Sequence, residues 1–572
     1  MKLLGAISAL HEEGNIGYVI RRSLAARVRM MAGAFPARWL EPIRRVDRKV
    51  SSWMAGLAAA GRRPGLLIGS AFLLIVAVRL SIMLAIGPPV PQVQDEFSYL
   101  LAADTFVSGR LATPPHPLWE AFESTHILSQ PTYASKYQPG QALFLALGQR
   151  VFGHPYFGVV LMTALLGAAL VWMLLAWLPR SFAVLGGAVA VTALLGCTWT
   201  RGYWGGGLAA LAGTLLIGSY RHIAFHKRYG YSWLMGLSFV FLVFTRPYES
   251  SPLMAAMFGA LLWWAMRASA PSIRRVFVPL SAVLIAGAAF QCYYDYRVTG
   301  DWKTLPYVEH MRQYQMAPPL WIGHPTAPKT YRAATLRSEF EDRGMQEYLG
   351  ILDHLQMGWL ERLRMLLRPI HVIGDYLAAA ALVGLFFRDG KLRFLCVAFL
   401  GVAAAGSVEV WQMSHYYAPV FGLTALITAR LAWRVRRRFR PFGNLAAVLI
   451  IIGCWLPGLS GLFASFRGVI SEFKHHYQNQ ADFKYVHAAM QDSLTREGGL
   501  HLILVRYKPS HLAGGDEWVY NGANIDQSPV IWAREMSPDN SRLFGYFRGR
   551  KFWCLEADVQ PYELKPCEVP TP

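Results

Sequence analysis

The residues best suited to chemistry lie in one polar stretch, Pro91 to Gln141, which directly follows an apolar run from Gly65 to Gly87. The polar stretch brings acids, histidines, a lysine, aromatic residues and prolines together beside long apolar runs. An apolar run of about 20 residues is long enough to cross a bilayer. The sequence therefore predicts that this polar cluster lies at a membrane surface.

Two acids open the stretch. Asp95 and Glu96 come just before FSYLLAADTF, in which Phe97, Leu100 and Leu101 recur at helical spacing. The pattern predicts Asp95 as a helix N-cap and Glu96 as a first-turn acid that complements the helix dipole, and these structural roles alone would explain both residues. A carboxylate fixed at a membrane boundary is also a positioned proton acceptor, so both acids are catalytic candidates.

Cationic and ionisable side chains recur near the predicted membrane boundary in separate loops. They are Lys136 in SKYQPG, Arg201 in TRGYWGGG, Arg246 in TRPYES and His415 in SHYYAP. Each one alone is explained as an interfacial anchor. Together they place charge on the predicted outer face, against the positive-inside trend, and phosphate is a natural partner for lysine and arginine there. All four are therefore candidate ligands of a donor phosphate.

Aromatic side chains and a histidine in the same loops are the candidate substrate-binding groups. They are Tyr99, His116, Tyr137, Tyr203 and Trp204. Such rings either stack on sugars or form the aromatic belt of a membrane protein, and the sequence leaves both options open. No certain cofactor follows from the sequence, the cysteines have no metal-ligand spacing, and a divalent metal remains an open option.

Composition identifies the class of protein to which these residues belong. Hydrophobic residues make up 54% of the 572 residues and charged residues 16%. The hydrophobic residues form repeated runs of membrane-spanning length. The formal charge of +21 is concentrated in short segments between those runs, which is typical of cytoplasmic loops rather than of nucleic-acid binding. We expect a polytopic α-helical membrane protein with no nucleic-acid partner.

The basic segments orient the spans. About eleven spans keep each basic segment on the cytoplasmic side. They are predicted near residues 65–87, 157–178, 182–200, 205–221, 231–246, 250–267, 276–292, 369–388, 392–408, 415–431 and 443–464. The segment from Gly140 to Gly153 is too short to span and is interpreted as an interfacial helix on the outer face.

This reading divides the chain into three parts. Residues 1–63 form a basic cytoplasmic or interfacial arm, residues 64–465 a transmembrane domain with a catalytic external loop over 88–155, and residues 471–572 a small extracytoplasmic α/β domain. In the last part, a helical pattern over Phe483–Arg496 precedes LHLILVRY, PVIWARE, SRLFGYFRG and KFWCLEAD, an alternation of strand and helix patterns. If this tail is outside the cytoplasm, Cys554 and Cys567 are able to form a disulfide.

The motifs resemble those of a known superfamily. An acidic pair after the first span in QDEFSYL, followed by SKYQPGQALFLALG, is similar to the GT-C superfamily of lipid-phosphosugar-dependent glycosyltransferases. Within it the chain looks like the family 39 protein O-mannosyltransferases, the bacterial lipid A aminoarabinose transferases and a group of bacterial membrane glycosyltransferases. The resemblance covers about residues 65–431.

That resemblance implies a fold, a reaction and site residues. It implies a GT-C-like membrane domain and transfer of a sugar from a polyprenyl-phosphate donor to a glycan, lipid or protein acceptor, outside the cytoplasm, at a bacterial inner membrane. By this resemblance, Asp95 matches the acid that activates the acceptor, and Lys136 matches a lysine near the donor phosphate. Arg246 lies at the position where relatives carry a basic element. Relatives often carry a second acid in the second external loop, where this chain has Arg201 instead.

Two other classes of protein stay open. A secondary transporter would also have many spans and an arginine such as Arg79 inside one of them. A non-catalytic lipid-binding subunit could keep the GT-C-like fold without chemistry. Against the transporter, the halves of the chain show no repeat, and the polar groups are concentrated in loops on one predicted side.

Overall fold

A computed structural model of the protein describes residues 37–364, 367, 375–439, 442–456, 483–508, 510–511, 517–536 and 540–567. Most of the predicted basic arm, the start of the 369–388 span, the end of the 443–464 span and the beginning of the 471–572 domain lie outside the described residues.

Helices dominate the described chain up to residue 456. In chain order they are α1 (Ala37–Ala60), α2 (Pro64–Ile86), α3 (Gln94–Val107), α4 (Pro139–Phe152), α5 (Tyr156–Trp177), α6 (Arg180–Gly196), α7 (Gly207–His226), α8 (Tyr231–Val243), α9 (Pro247–Ala265), α10 (Ala270–Thr299), α11 (Pro306–Tyr314), α12 (Gly344–Gln356), α13 (Asp375–Leu385), α14 (Gly390–Gly406), α15 (Phe421–Arg438) and α16 (Gly443–Leu456). Within the described residues, each predicted span overlaps one of these helices, although the predicted 415–431 span begins in the separate Ser414–Val420 segment.

Length and hydropathy distinguish two groups of apolar helices among the described residues. By length and composition, α2, α5, α7 and α10 are each able to cross a membrane, and α6, α8 and α16 are shorter apolar helices. The apolar runs were readable in the sequence because a helix buried on all sides, in lipid or in protein, needs apolar residues all round. The protein is a polytopic helical membrane protein, as predicted.

Small residues set how closely the helices approach. A Cβ added to Gly158 on α5 would lie 2.0 Å from the backbone oxygen of Phe144 on α4. A Cβ added to Gly213 on α7 would lie 1.9 Å from the backbone oxygen of Pro419. These glycines therefore hold α4 against α5, and hold the Ser414–Val420 segment, which carries His415, against α7.

The basic loops gather at one end of the helices. Asp389 caps α14 by accepting the backbone N–H groups of Lys391 and Leu392, and it pairs with Arg430 and Arg434 of α15 at 2.8 and 2.7 Å. The start of α14 and the end of α15 therefore lie together. The loops that contain the candidate chemical residues leave from the opposite ends of the helices.

The prediction of Asp95 as an N-cap is wrong. Helix α3 begins at Gln94 after Val93, which has extended backbone (φ −141°, ψ 160°), and no side chain caps it. The Asp95 carboxylate has stronger partners elsewhere, because it accepts hydrogen bonds from His126 and Tyr137. The predicted short helix after SKYQ does form, as the 14 residues of α4.

The tail forms a small α/β unit. Helix α17 (Phe483–Glu497) precedes strand β3 (His501–Arg506), and β4 (Val530–Arg534), α18 (Asn540–Tyr546), β5 (Lys551–Glu556) and β6 (Lys565–Pro566) follow. The sheet has the order β4-β3-β5-β6, in which β3 pairs in parallel with β4 and β5. This is the predicted alternation of helix and strand, and a disulfide joins Cys554 to Cys567.

Candidate active site

A cavity of about 500 Å³ lies where the loops at the non-basic end of the helices meet. Its wall is built by the start of α3, the turn between α8 and α9, helix α11 and the segments before α4 and α15. Side chains far apart in the sequence line it, including Asp95, Lys136, Arg246, Glu409 and His415. The cavity combines a few charged groups with apolar walls, which is the usual character of a small-molecule site.

A short hairpin places two of the ionisable side chains side by side. Strand β1 (Ile127–Leu128) pairs antiparallel with β2 (Ala134–Ser135), with Ile127 opposite Ser135. His126 and Lys136 are the next residues outward from that pair, and the Lys136 backbone N–H donates to the His126 carbonyl at 3.4 Å. The hairpin thus fixes an imidazole beside an ammonium group on one wall of the cavity.

Asp95 is held by two donors. The His126 Nδ1 atom and the Tyr137 hydroxyl each lie 2.6 Å from Asp95 Oδ1. Burial alone would raise the pKa of Asp95, but other influences outweigh burial and hold that pKa well below its usual value. They are the positive charge that His126 has when it is protonated, the hydrogen bond from His126, the charge of Lys136 and the Tyr137 hydroxyl. The carboxylate is therefore ionised at neutral pH, and both neighbours donate to it.

Lys136 is a buried cation without a salt bridge. Only 3% of the residue is exposed. Its Nζ lies 5.1 Å from the ring centre of Tyr137 and 5.2 Å from that of Tyr307, and it forms no ion pair within the residues that the structure describes. Burial lowers the pKa of Lys136 to about 8, against the opposing influence of Asp95. A buried ammonium that lacks an anionic partner is a site prepared for an anionic ligand.

A second group of charged residues lines the same cavity. Arg246 donates to Glu249 at 2.9 Å and lies over the ring of Tyr416 at 4.6 Å. Burial, together with the charge of nearby Glu249, raises the pKa of Glu409 to about 9, so this carboxyl is protonated at neutral pH. The cavity therefore has a compensated guanidinium and a neutral acid in addition to Lys136, which has no salt bridge within the described residues.

Six of the sequence-derived candidates line the cavity. They are Asp95, Lys136, Arg246, His415, Tyr137 and Trp204. His415 lies edge-on to Trp204 with ring centres 4.7 Å apart, and only 2% of it is exposed. Burial, followed by the charge of Arg246, lowers the pKa of His415 well below its usual value, so its imidazole is neutral rather than cationic at neutral pH.

The other candidates lie outside the cavity lining. Glu96 is 1% exposed and accepts the backbone N–H groups of Gln92 and Tyr203, both at 2.6 Å. Tyr203 is itself buried and donates its hydroxyl to the Pro89 carbonyl. These contacts connect the first external loop to the second. Glu96 and Tyr203 therefore stabilise the loops that form the cavity wall without lining the cavity themselves.

Three further candidates are also held by the protein itself. Tyr99 is buried and stacks on Tyr137 at 4.5 Å, which buttresses the ring that donates to Asp95. His116 contacts Asp526 of the tail domain at 3.0 Å. Arg201 does not line the cavity and lies near Arg79. Arg79 itself donates hydrogen bonds to the Leu195 carbonyl and to the Thr200 hydroxyl in the interior of the helical domain.

Sequence reasoning missed several residues that the cavity contains. They are His126, Glu249, Tyr307, Glu339, Arg343 and Glu409. One sequence signal for His126 is its place just before an apolar pair in THIL, seven residues before Tyr133, the first tyrosine of PTYASKYQPG. Glu249 stands three residues after Arg246, a spacing that brings side chains together on a helix. The remaining four come from distant segments, and no local pattern connects them with Asp95.

A metal centre is not formed by the described residues. No group of three or more histidine, cysteine, aspartate or glutamate side chains within the described ranges could hold a metal ion. The acid that would be the first metal candidate, Asp95, is occupied at Oδ1 by His126 and Tyr137.

Comparison with solved structures finds distant similarity to ArnT and to an archaeal oligosaccharyltransferase. The ArnT structure from Cupriavidus metallidurans, bound to undecaprenyl phosphate, is 13% identical, with a TM-score of 0.46 over 85% of this chain and 92% of that one. The Archaeoglobus fulgidus oligosaccharyltransferase, in complex with zinc and sulfate, is 12% identical, with a TM-score of 0.41 over 85% of this chain and 68% of that one. No family model and no curated protein matches the chain.

Proposed function

We propose that this protein is a membrane glycosyltransferase that moves a sugar from a polyprenyl-phosphate donor to an acceptor hydroxyl, on the face of the membrane opposite its basic loops. The observation that carries the proposal is the buried, unpaired ammonium of Lys136 in the cavity that also contains the ionised Asp95. The Lys136 ammonium suits a phosphate, and the Asp95 carboxylate lies where an acceptor hydroxyl has to lose its proton.

The phosphate role of Lys136 follows from the charge changes of the reaction. When the bond between the anomeric carbon and the phosphate oxygen breaks, negative charge develops on the lipid phosphate. A cation already fixed in a partly dry site stabilises that charge without reorganising. Arg246 lines the same cavity, but Glu249 compensates its charge at 2.9 Å, so we assign it a supporting part.

The lipid nature of the donor follows from the location of the cavity. Its wall is built from loops that directly follow the candidate membrane span α2 and the shorter apolar helix α8, so a phosphate bound at Lys136 would lie near headgroup level. The GT-C-like motifs around Asp95 and Lys136 support a sugar as the transferred group. An acceptor hydroxyl from a glycan, a lipid or a protein would attack from the Asp95 side, with inversion at the anomeric carbon.

The test is the release of free polyprenyl phosphate by the purified protein in lipid, from a panel of polyprenyl-phosphate sugars. We expect Lys136→Ala to lower the rate of release by about 10²- to 10³-fold, as for the loss of one preorganised transition-state donor. Lys303→Ala is the matched control, because that lysine is exposed and outside the cavity, and it should stay within about twofold of wild type. No release from any donor, together with no binding of polyprenyl phosphate, would overturn the proposal.

A further inference from the structure

The cavity contains an imidazole that the sequence reasoning did not use. His126 lines the cavity, and 14% of its side chain is exposed. Its backbone has φ 62°, in the left-handed region that residues other than glycine rarely adopt. Such a conformation is strained and persists only where surrounding contacts enforce it. Here the enforcing contacts are the hairpin and the hydrogen bond from Ser98 Oγ to the His126 carbonyl at 2.6 Å.

The contacts of the imidazole determine its tautomer. Asp95 is ionised and can only accept, so the 2.6 Å contact places a proton on His126 Nδ1. In the neutral ring the free lone pair is then on Nε2. This atom has no hydrogen-bond partner within the described part of the chain and is not among its fully enclosed unpartnered atoms, so it is open to the cavity.

The groups around His126 favour the neutral form of its imidazole. The groups that face it are Asp95 of α3, Lys136 and Tyr137 after β2, His310 of α11 and Glu339. Burial and the charge of Lys136 lower the pKa of His126, and Asp95 opposes them. A neutral base beside a fixed carboxylate can take a proton and become a stabilised imidazolium.

We infer that His126 Nε2 is the general base of the transfer and that Asp95 is the residue that positions it; this inference rests on the proposed function. The acceptor oxygen forms the bond to the anomeric carbon while its proton moves to Nε2. The bond from the anomeric carbon to the phosphate oxygen breaks, and its electron pair stays on the lipid phosphate beside Lys136. The imidazolium then returns its proton to solvent or to the departing phosphate. A carboxylate with a depressed pKa, as Asp95 has, is the weaker base of the two.

Two substitutions that tolerate the left-handed backbone test the assignment. His126→Asn keeps a short polar side chain able to donate to Asp95 but removes the base, and asparagine is among the residues enriched at positive φ. His126→Gly relieves the backbone and leaves room for added imidazole. His511→Asn is the matched control, because His511 also contacts an aspartate, Asp558, at 2.6 Å but lies in the tail domain outside the cavity.

In the lipid-phosphate release assay, we expect His126→Asn to lower the rate by about 10²- to 10⁴-fold while polyprenyl phosphate still binds. Wild-type activity should fall as pH drops through the pKa of His126, which lies below the ordinary value of histidine, and this acid limb should be missing in His126→Asn. Imidazole should restore His126→Gly at least tenfold, in proportion to its neutral fraction. A merely structural role of His126 would produce neither the loss of the limb nor the rescue.

The outcomes separate the two proposals. If wild type releases lipid phosphate but His126→Asn stays within tenfold of it with an unchanged acid limb, the base is not His126 and the proposed function stands. Absence of imidazole rescue in a His126→Gly protein that still binds polyprenyl phosphate would also overturn the assignment. If wild type releases nothing and binds no polyprenyl phosphate, the proposed function itself fails and the inference fails with it.

Discussion

At the scale of single residues, the site depends on how burial changes the charge of ionisable groups. Lys136 is buried and Asp95 is partly exposed to the cavity, with 24% of its side chain exposed. Asp95 has three partners that stabilise its charge, whereas Lys136 forms no salt bridge within the described residues. The pKa values respond accordingly, because desolvation disfavours a charge that has no compensating partner. Lys136 is therefore the residue whose charge a ligand can change most.

This difference predicts a pH dependence of donor binding. Only protonated Lys136 attracts the phosphate, and burial lowers its pKa to about 8, so affinity should be constant below that value and fall by about tenfold per pH unit above it. Binding of polyprenyl phosphate to the purified protein, measured between pH 7 and pH 10, tests this. Lys136→Arg is the control, since arginine stays charged throughout and should give a flat profile. A wild-type affinity that is also flat to pH 10 would contradict the role of Lys136.

At the scale of elements, the tail domain braces the wall of the cavity. Arg534, at the end of β4, donates to the Glu123 carbonyl at 3.1 Å, to Thr335 at 2.9 Å and to Glu517 at 2.8 Å. Glu123 is three residues before His126, and Thr335 is four before Glu339. One buried guanidinium thus connects the sheet with both loop segments that carry these cavity residues.

Loss of that connection should be costly. Arg534→Ala would leave the buried Glu517 carboxylate without its salt-bridge partner, and breaking a buried ion pair in this way typically destabilises by about 3–5 kcal/mol. Arg506→Ala is the matched control, because Arg506 ends the neighbouring strand β3 and pairs with Glu535 and Glu556, but 52% of its side chain is exposed, so its loss should cost about 1 kcal/mol or less.

Hydrogen exchange of the β3 and β4 peptides in the intact protein measures the two effects. Faster exchange in Arg534→Ala than in Arg506→Ala is expected in these strands. Equal exchange in the two variants would mean that the buried arginine does not hold the tail domain in place.

At the scale of the whole molecule, charge and chemistry lie at opposite ends of the helices. Asp389 and the arginines of α15 mark one end, and Asp95 with Lys136 marks the other. The disulfide between Cys554 and Cys567 fits an oxidising compartment for the tail domain. We therefore expect the basic end to face the cytoplasm and the cavity to face outward.

Single cysteines test this orientation. The four cysteines outside the disulfide, Cys197, Cys292, Cys396 and Cys454, are first replaced by serine. A cysteine at exposed position 303 should then react with a membrane-impermeant maleimide in intact cells, and one at exposed position 437 only after the membrane is opened. The reverse pattern of labelling would place the cavity in the cytoplasm and exclude the proposed direction of transfer.

The sequence by itself determined the properties that are local in the chain. Apolar runs predicted the spans, and basic loops predicted which ends of the spans lie together. The helix and strand patterns of the tail predicted the order of its elements. These signals are local because burial in lipid or in a sheet constrains consecutive residues. The same local signals selected Asp95, Lys136 and Arg246, which stand at the ends of apolar runs.

The tertiary structure alone decided which candidates meet. It brought His126 to Asp95 and placed Glu409 in the same cavity, whereas it put Glu96 behind the wall and Arg201 outside the lining. These outcomes depend on hydrogen bonds and packing between segments up to several hundred residues apart, which leave no periodic trace in the sequence. The mistaken N-cap at Asp95 has the same cause, since a histidine 31 residues away offered that carboxylate a stronger partner than the helix did.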